Sequence, residues 1–483
     1  MRYLSKIQKC SYGLSTIGLA AILITVCFGA VWFFSRSGEV TGLIMALVAV
    51  ITIAIAVASL IFPLFGFYVC IISTYFIFDA MRFLRTDAPL VSGIDAMVYI
   101  VFIGVMIEKI SKKESFWKNC KNPVVFMYVL IIFYYIMEYF NPNSVSREIY
   151  FLMFRRFATI LLFFYCALQL FNTYARIRQF FIIIISLSLI AAVYGVYEKW
   201  VGMPKYELDY FMSDEGVALG MLDNGEFRIA SFLSDCTAFG LLMSGSLIIV
   251  LSIALNHKTS STKRIILIFS IIMMAFAMSY SGTRTATVML VVEVILYILM
   301  TSTQRKTIVF SIFFALLLGA VLFTPSYGNG TLNRLKSTFE TDDESLKVRD
   351  ENRKYIQPYI LSHPIGGGVG TTGVVYAKYN TGHPLAGFPT DSGLLAMVLE
   401  FGWIGLILQC ATYFITLLQG IRGYYRSRNS RHRLLYLAAT LCIFGYVVAQ
   451  YSQIAIGQIP GGFIFYGLTA AIIMLHQTDS ADK

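Results

Sequence analysis

The chain alternates between long apolar runs and shorter polar connections from near Tyr12 to near His476. A run of about 20 apolar residues can cross the hydrocarbon layer as a helix, because each helical residue adds about 1.5 Å. Fourteen such runs predict spans near 13–35, 41–62, 64–83, 89–108, 123–140, 151–171, 179–200, 231–255, 265–281, 286–301, 307–323, 391–419, 434–454 and 461–476. The pattern predicts an all-α polytopic membrane protein with about 12–14 transmembrane helices.

Composition supports this interpretation and excludes other classes of protein. The 483 residues are 57% hydrophobic and only 13% charged, which is far from the balance of a soluble domain. The net charge of +11 comes from basic residues dispersed over short loops, so it does not indicate nucleic-acid binding. The eight cysteines show neither a disulfide framework nor the spacing of a zinc site.

The distribution of lysine and arginine predicts an orientation. Basic residues concentrate in every second loop, as the positive-inside rule requires of cytoplasmic loops, and both termini are then cytoplasmic. The turn at 82–85 is an exception, since two arginines lie on its predicted outer side. The region 41–83 could therefore be a tilted or broken pair of helices instead of two clean spans.

Two long polar segments fall on the outer side. We predict transmembrane helices over 1–323 with an external loop at 201–230, a periplasmic catalytic loop at 324–390, and C-terminal helices over 391–483. Within the larger loop, 345–361 (SLKVRDENRKYIQPYIL) has the pattern of an amphipathic helix, with Arg349 and Arg353 one turn apart. The glycine-rich stretch at 366–370 could approach an anion closely or form an ordinary turn.

Two adjacent arginines lie within an apolar run. Arg155 and Arg156 are about one turn inside the predicted outer end of their span. A charged side chain at membrane depth is costly unless it faces a cavity or a partner, which makes these residues candidates for substrate binding. They could equally extend to lipid headgroups.

Two further arginines lie at the predicted outer surface. Arg228 is at the point where the first external loop re-enters the membrane, and Arg284 is in a tight external turn. Guanidinium presents a fork of donors that matches phosphate oxygens, so the set suits a lipid pyrophosphate. Pairing with Asp235, Glu226 or lipid headgroups is the alternative.

Three side chains could accept a proton during catalysis. His363 and His383 lie in the larger external loop, where a histidine can act near neutral pH, although His363 could also cap the preceding helix. Asp391 opens the twelfth predicted span, where an aspartate is also a common N-cap.

Four segments in order resemble the O-antigen ligase and polymerase superfamily, bacterial glycosyltransferases that use undecaprenyl-pyrophosphate-linked sugars. They are 227–235 (FRIASFLSD), 281–284 (SGTR), Arg349 followed fourteen residues later by 363–368 (HPIGGG), and 390–406 (TDSGLLAMVLEFGWIGL). The resemblance covers roughly residues 200–420.

The resemblance implies a fold, a reaction and roles for residues. It implies the C-type glycosyltransferase architecture and metal-independent, inverting transfer on the periplasmic side of the bacterial inner membrane, with no cofactor. Arg228 and Arg284 would hold the donor pyrophosphate, and Arg349 and His363 would line the catalytic cleft. Ligases commonly carry a histidine where this chain has Asp391, so the base could be His363, His383 or Asp391 itself.

The sequence leaves several functions open. A polymerase would join two lipid-linked repeat units and could have a chain-length regulator as partner, and the missing histidine favours it. A ligase would transfer the glycan to lipid A-core or another acceptor. A lipid-linked oligosaccharide flippase predicts charges at midplane depth and no large external loop, and a docking partner predicts a hydrophobic patch in the loop.

Overall fold

The protein is built from long helices. The computed structural model describes residues 40–85, 90–213, 220, 227–256, 261–325, 330–338 and 344–481. Among them, twelve helices are long and apolar enough to cross a membrane, so the predicted all-α polytopic architecture is confirmed. The predicted span at 13–35 lies outside the described residues.

Each described helix either corresponds to one of the apolar runs noted above or lies within one of the polar loops. The long helices are α1 (Val40–Ile61), α2 (Pro63–Leu84), α3 (Val91–Lys112), α4 (Pro123–Met137), α5 (Arg147–Leu170), α6 (Tyr174–Val201), α8 (Cys236–Asn256), α9 (Ser261–Tyr280), α10 (Arg284–Thr301), α11 (Arg305–Phe323), α14 (Gly393–Arg426), α15 (Ser430–Ala449) and α16 (Gly461–Ala481). The loop helices are α7 (Lys205–Phe211), α12 (Gly330–Ser337) and α13 (Glu344–Ser362).

The chain divides into two compact units. The first comprises Met1–Cys70 with Ser92–Phe116, and the second comprises Ile71–Val91 with Trp117–Lys483. The uncertain region 41–83 forms two helices, α1 and α2, which only Phe62 separates. Pro63 begins α2, where a proline is tolerated because the first N–H groups of a helix have no intrahelical partner.

The core of the second unit is built around α8, α15 and α16. Helix α8 packs against α6, α9, α10 and α15, and α16 packs against α5 and α15. Such central helices are apolar on all sides, and α8 carries small residues that let neighbours approach closely. In contrast, only 6% of the apolar window of α11 is buried, as expected of a helix that faces lipid.

The helices of the second unit have two different ends. At one end, which we call the loop end, hydrogen bonds join Arg228 to Ser281, Arg334 to Gly282 and Ser392 to Gln450. The connections at the other end, which we call the basic end, are rich in lysine and arginine, among them Arg176, Arg178, Lys263, Arg264, Arg305, Lys306, Arg428, Arg431 and Arg433.

Helix α14 is kinked at the loop end. Gly402 departs from helical geometry with φ +63° and ψ −165°. A Cβ atom at Gly402 would lie 2.1 Å from the carbonyl oxygen of Pro364, so only glycine allows the loop after α13 to pass this close. The kink therefore allows that loop to pack directly against the membrane-spanning part of the chain.

Candidate functional site

A tight turn between α9 and α10 forms the centre of the candidate site. Its middle residue, Gly282, has φ +60°, a conformation that favours glycine. The Thr283 hydroxyl donates to the carbonyl of Cys236 (2.9 Å), which holds the turn against the start of α8. Arg284 is the first residue of α10 and therefore has a fixed position at the loop end.

Two more arginines converge on this turn from other parts of the chain. Arg228 donates through Nε to the carbonyl of Ser281 (2.9 Å) and through a terminal nitrogen to the Thr283 hydroxyl (2.9 Å). Arg334, on α12, donates through Nε to the carbonyl of Gly282 (2.8 Å). We call Arg228, Arg284 and Arg334 the arginine cluster.

One predicted partner of Arg228 has another task. Asp235 accepts hydrogen bonds from the backbone N–H groups of Thr237 (2.8 Å) and Ala238 (2.9 Å), so its carboxylate caps the start of α8. Glu226, the other carboxylate considered, lies outside the described residues. Among the described residues, the oxygens that accept from the Arg228 side chain belong to a carbonyl and a hydroxyl.

A second group forms where α13 meets the start of α14. Nε of Arg349 lies 3.4 Å from Oδ2 of Asp391, and the Asp391 side chain is 55% exposed. The N-cap of α14 is Ser392, whose hydroxyl accepts from the backbone N–H of Leu395 (3.2 Å). Asp391 therefore does not cap this helix through its side chain, and it faces an arginine instead.

Arg353 belongs to the same group. It donates to the hydroxyl of Tyr451 (3.0 Å), and its guanidinium lies 4.4 Å from the centre of the Tyr451 ring. Together with Arg349 and Asp391, it lines a small cavity that also includes Ser452. We call Arg349, Arg353 and Asp391 the Arg–Asp group.

A hydrogen bond connects the two groups. The hydroxyl of Ser452, in the lining of the Arg–Asp group's cavity, lies 3.0 Å from the hydroxyl of Thr285. Thr285 directly follows Arg284 on α10. The fold thus brings five of the predicted site residues into adjoining positions at the loop end: Arg228, Arg284, Arg349, Arg353 and Asp391.

The two candidate histidines form a separate cluster around Tyr359. The ring of His363 stacks on Tyr359 at a centroid distance of 4.0 Å, and the ring of His383 approaches Tyr359 edge-on at 6.3 Å. Arg349 and Ser362 are near opposite ends of α13, and 13 residues at about 1.5 Å each separate them by roughly 20 Å. The length of α13 thus separates His363 from Arg349, the residue that adjoins Asp391.

The two histidines differ in the nitrogen that could accept a proton. Nδ1 of His383 accepts from the backbone N–H of Leu385 (3.0 Å), so its lone pair is already used. Burial lowers the pKa of His383, while a hydrogen bond with the Asn143 backbone raises it. Nδ1 of His363 lies 3.1 Å from the Tyr359 carbonyl, which caps the end of α13 and leaves Nε2 as its accepting nitrogen when the ring is neutral.

The glycine-rich stretch binds a carboxylate of the chain itself. The carboxylate of Glu400, on α14, accepts from the backbone N–H of Gly370 (2.9 Å) and from both the N–H and the hydroxyl of Thr372. Further N–H groups of the stretch donate to backbone carbonyls at the kink, those of Leu399 and Glu400. These groups hold the loop against α14, so the anion that this stretch approaches is a carboxylate of the chain itself.

Arg155 and Arg156 lie on α5, in contact with another part of the large loop. Arg156 is exposed and donates to the hydroxyl of Tyr376 (2.7 Å), which belongs to the 3₁₀ helix Val374–Tyr379. Arg155 is half-buried on the same turn of the helix. These contacts place Arg156 at the loop segment that follows the glycine stretch, and not among the residues around the 281–283 turn.

Arg334 and Arg82 were not among the predicted site residues, yet Arg334 contacts the 281–283 turn and Arg82 contacts the segment that follows Arg228. Arg82 is only 6% exposed and donates to the carbonyls of Ser231 (2.9 Å), Leu233 and Ser234. Glu198 accepts from the backbone N–H of Ser231 (3.1 Å), so the segment that follows Arg228 is held from both sides. For Arg82 the sequence did contain a hint, because the two arginines at 82–85 lie on the predicted outer side and so contradict the positive-inside rule.

Comparison with known proteins supports the resemblance noted above. No curated protein matches the chain. Residues 269–410 match the family model described as O-antigen ligase, and this match runs from α9 into α14. It includes Arg284, Arg334, Arg349, Arg353 and Asp391. The match over residues 269–410 of this polytopic membrane protein thus bears out the resemblance to the O-antigen ligase and polymerase superfamily.

Proposed function

We propose that the protein is a glycosyltransferase of surface polysaccharide assembly that polymerises undecaprenyl-pyrophosphate-linked oligosaccharide repeat units. The observation that carries this proposal is the position of the arginine cluster beside the Arg–Asp group, with the Thr285–Ser452 hydrogen bond between them. One group suits the charge of a lipid pyrophosphate, and the other offers a carboxylate that can accept a proton.

The loop end would face the periplasm. The basic end has the composition of cytoplasmic loops, which supports an orientation with both termini in the cytoplasm of a bacterial inner-membrane protein. A donor lipid could then keep its polyprenyl chain in the bilayer while its pyrophosphate reaches Arg228 and Arg284. Arginine suits this position because it stays charged at any relevant pH and binds phosphate oxygens in a fork geometry.

The proposed reaction is a single displacement at the anomeric carbon of the donor. Asp391 takes the proton from a hydroxyl of the acceptor sugar, and that oxygen forms a bond to the anomeric carbon. The bond between this carbon and the pyrophosphate oxygen breaks, and undecaprenyl pyrophosphate leaves with the electron pair. Arg228 and Arg284 stabilise the negative charge on the leaving group, so no metal ion is required in this scheme. One displacement inverts the anomeric configuration.

Asp391 is the preferred base because of its neighbours. It is half-exposed and adjoins Arg349, which could orient the carboxylate or bind the acceptor. His363 retains an accepting nitrogen, but it lies roughly 20 Å from Arg349 along α13. His383 uses Nδ1 for the Leu385 backbone and is better suited to holding the loop.

A ligase is the second candidate, and the description of the matching family favours it. The donor site would be the same, while the acceptor would be lipid A-core or another molecule instead of a second lipid-linked repeat unit. A polymerase could also depend on a chain-length regulator as partner.

The decisive experiment uses the purified full-length protein with a lipid-linked repeat unit as the only sugar substrate. We expect a ladder of longer lipid-linked chains, and Arg284→Ala should slow its formation by roughly 10²–10³-fold because a stabiliser of the leaving group is lost. Arg305→Ala is a matched control, since Arg305 starts α11 at the basic end as Arg284 starts α10 at the loop end.

Each outcome has a defined meaning. Products that form only after lipid A-core is added would identify a ligase. No transfer to any acceptor, together with movement of the lipid-linked substrate across a vesicle membrane, would overturn the proposal in favour of a transporter. Equal rates for Arg284→Ala and the wild type would contradict the role of the arginine cluster.

A further inference from the structure

A small polar cavity lies between the 281–283 turn, the start of α10 and α12. Its lining includes Arg284 and Arg334 together with four threonines, Thr283, Thr287, Thr331 and Thr338. Among the residues that the structure describes, none that lines this cavity carries a carboxylate. Two guanidinium groups and several hydroxyls around one space form a donor set that suits an anion with several oxygens.

Arg334 is fixed at this cavity by the turn itself. Its Nε donates to the carbonyl of Gly282, while Arg228 donates to the preceding carbonyl, that of Ser281. A Cβ atom at Gly282 would lie 3.3 Å from Cδ of Arg334 and 3.4 Å from Nε of Arg228. Gly282 thus lies between two arginines that approach the same turn from separate loops.

Arg228 and Arg334 bring two positive charges to the same turn. Positive groups held this close repel one another, and the repulsion is larger where water is partly excluded. A doubly charged phosphate group between them would convert repulsion into attraction. The Thr287 and Thr331 hydroxyls would supply neutral donors to oxygens that the guanidinium groups do not reach, since the hydroxyls of Thr283 and Thr338 donate to the carbonyls of Cys236 and Arg334.

We propose that Arg334 is a further phosphate-binding residue of the donor site, and that α12 serves to carry it to the pyrophosphate. This inference rests on the proposed function, because it assigns Arg334 to the same ligand as Arg228 and Arg284. Because its Nε donates to the Gly282 carbonyl, the position of the Arg334 guanidinium would also depend on the position of the turn that precedes Arg284.

The test measures binding and not turnover. Purified full-length protein in detergent is titrated with farnesyl pyrophosphate, a short soluble analogue of the donor lipid, and the shift in thermal unfolding reports binding. Arg334→Gln should weaken binding by on the order of tenfold, because a charge-assisted hydrogen bond is lost. Glutamine can still donate to the Gly282 carbonyl, so the contact with the turn is retained.

Two variants control for charge and for structure. Lys336→Gln removes a positive charge from the same helix, but Lys336 donates to the carbonyl of Thr324 instead of the turn, so its affinity should remain within about twofold of the wild type. Arg334→Lys restores the charge without the fork geometry and should bind more tightly than Arg334→Gln. If Arg334 were only a structural contact, glutamine and lysine, which can both donate to the Gly282 carbonyl, would bind the analogue equally well.

The outcomes separate this inference from the proposed function. Weak binding by Arg284→Gln with normal binding by Arg334→Gln would overturn the role of Arg334 and leave the proposed function intact. Failure of the wild type to bind farnesyl pyrophosphate would count against both. Equal tightness for farnesyl monophosphate, or competition by phosphatidylglycerol at matched concentration, would indicate a headgroup site and overturn the assignment to the donor.

Discussion

Asp391 and Ser392 are neighbours with different tasks at the start of α14. Ser392 bonds to the backbone N–H of Leu395 and to the carbonyl of Gln450, which fixes the start of the helix. Either residue could cap α14 by its type, and in the structure Ser392 is the one that does so. Asp391 adjoins Arg349, and its carboxylate is half-exposed in the cavity of the Arg–Asp group.

This division of tasks predicts opposite results for two substitutions. Asp391→Asn should lower the rate of sugar transfer by roughly 10²-fold or more, because a carboxamide cannot act as a base. Its thermal stability should stay close to that of the wild type, since an exposed ion pair contributes little. Ser392→Ala should lose about 1 kcal/mol of stability with the loss of a cap, yet retain transfer.

Rates and unfolding temperatures of the two variants, measured side by side, check this prediction. A normal rate in Asp391→Asn would contradict the assignment of the base and turn attention to His363. Loss of transfer in both variants, with only Ser392→Ala destabilised, would still agree with a catalytic Asp391.

Sequence alone predicted the types of residue at the site better than their partners. The sequence indicates Arg228 and Arg284 as candidates because they lie where the chain meets the predicted outer surface of the membrane. It does not indicate Arg334, which lies in a polar loop where one more basic residue is unremarkable. Whether Asp391 caps α14 or is free to take part in the reaction depends on whether the helix begins one residue earlier or later. The sequence could not decide this, because both aspartate and serine are good N-caps.

At the scale of elements, α13 was predictable and the loop after it was not. The apolar pattern of 345–361 predicted the helix that the structure has at Glu344–Ser362. Ile356 packs with Leu385 and Leu399 in a small hydrophobic cluster. The loop, in contrast, follows Glu400 and the kink at Gly402, which are contacts over some 30 residues that no local pattern contains.

The attachment of this loop should depend on pH through His383. Its pKa lies below the ordinary value of 6.5 because it is buried, so the unfolded chain binds a proton that the folded chain does not. The contribution of neutral His383 to the free energy of unfolding is fully present above pH 6.5. It is lost as the pH falls through the lower pKa that His383 has in the folded protein. The unfolding temperature should therefore fall between about pH 7 and about pH 5.

His383→Asn should reduce this fall, because asparagine can accept from the Leu385 backbone and does not titrate in this range. His476→Asn, at an exposed position on α16, serves as the matched substitution and should leave the fall unchanged. Thermal unfolding across this pH range checks the prediction, and parallel curves for His383→Asn and the wild type would contradict it.

At the scale of the whole molecule, the period of apolar runs was sufficient to predict the architecture. The predicted spans from 64–83 onward each correspond to a described helix, with ends that differ by several residues. The helix ends were less predictable because caps such as Ser392 and connections such as Phe62 are decided by single residues. The exception at 82–85 also had a tertiary cause, since Arg82 bonds to carbonyls of a distant loop.

The orientation of the molecule gives a direct prediction. In a background with the native cysteines changed to serine, Thr381→Cys should react with a membrane-impermeant maleimide added to the periplasmic side. Ser430→Cys should react only after the membrane is permeabilised, because it lies at the basic end. Both positions are exposed, so accessibility within the protein is matched. The reverse pattern of labelling would invert the topology and move the site to the cytoplasm.

The bond between Glu400 and the glycine stretch has a consequence for the cost of substrate binding. Because an internal carboxylate occupies the N–H groups of Gly370 and Thr372, the loop acquires its shape during folding without help from a ligand. Binding of the proposed donor would then carry little penalty for ordering this segment, and its affinity could come from contacts with the pyrophosphate itself. A processive enzyme that exchanges its lipid substrate at every cycle would benefit from such preorganisation, since each release would not require the loop to be ordered again.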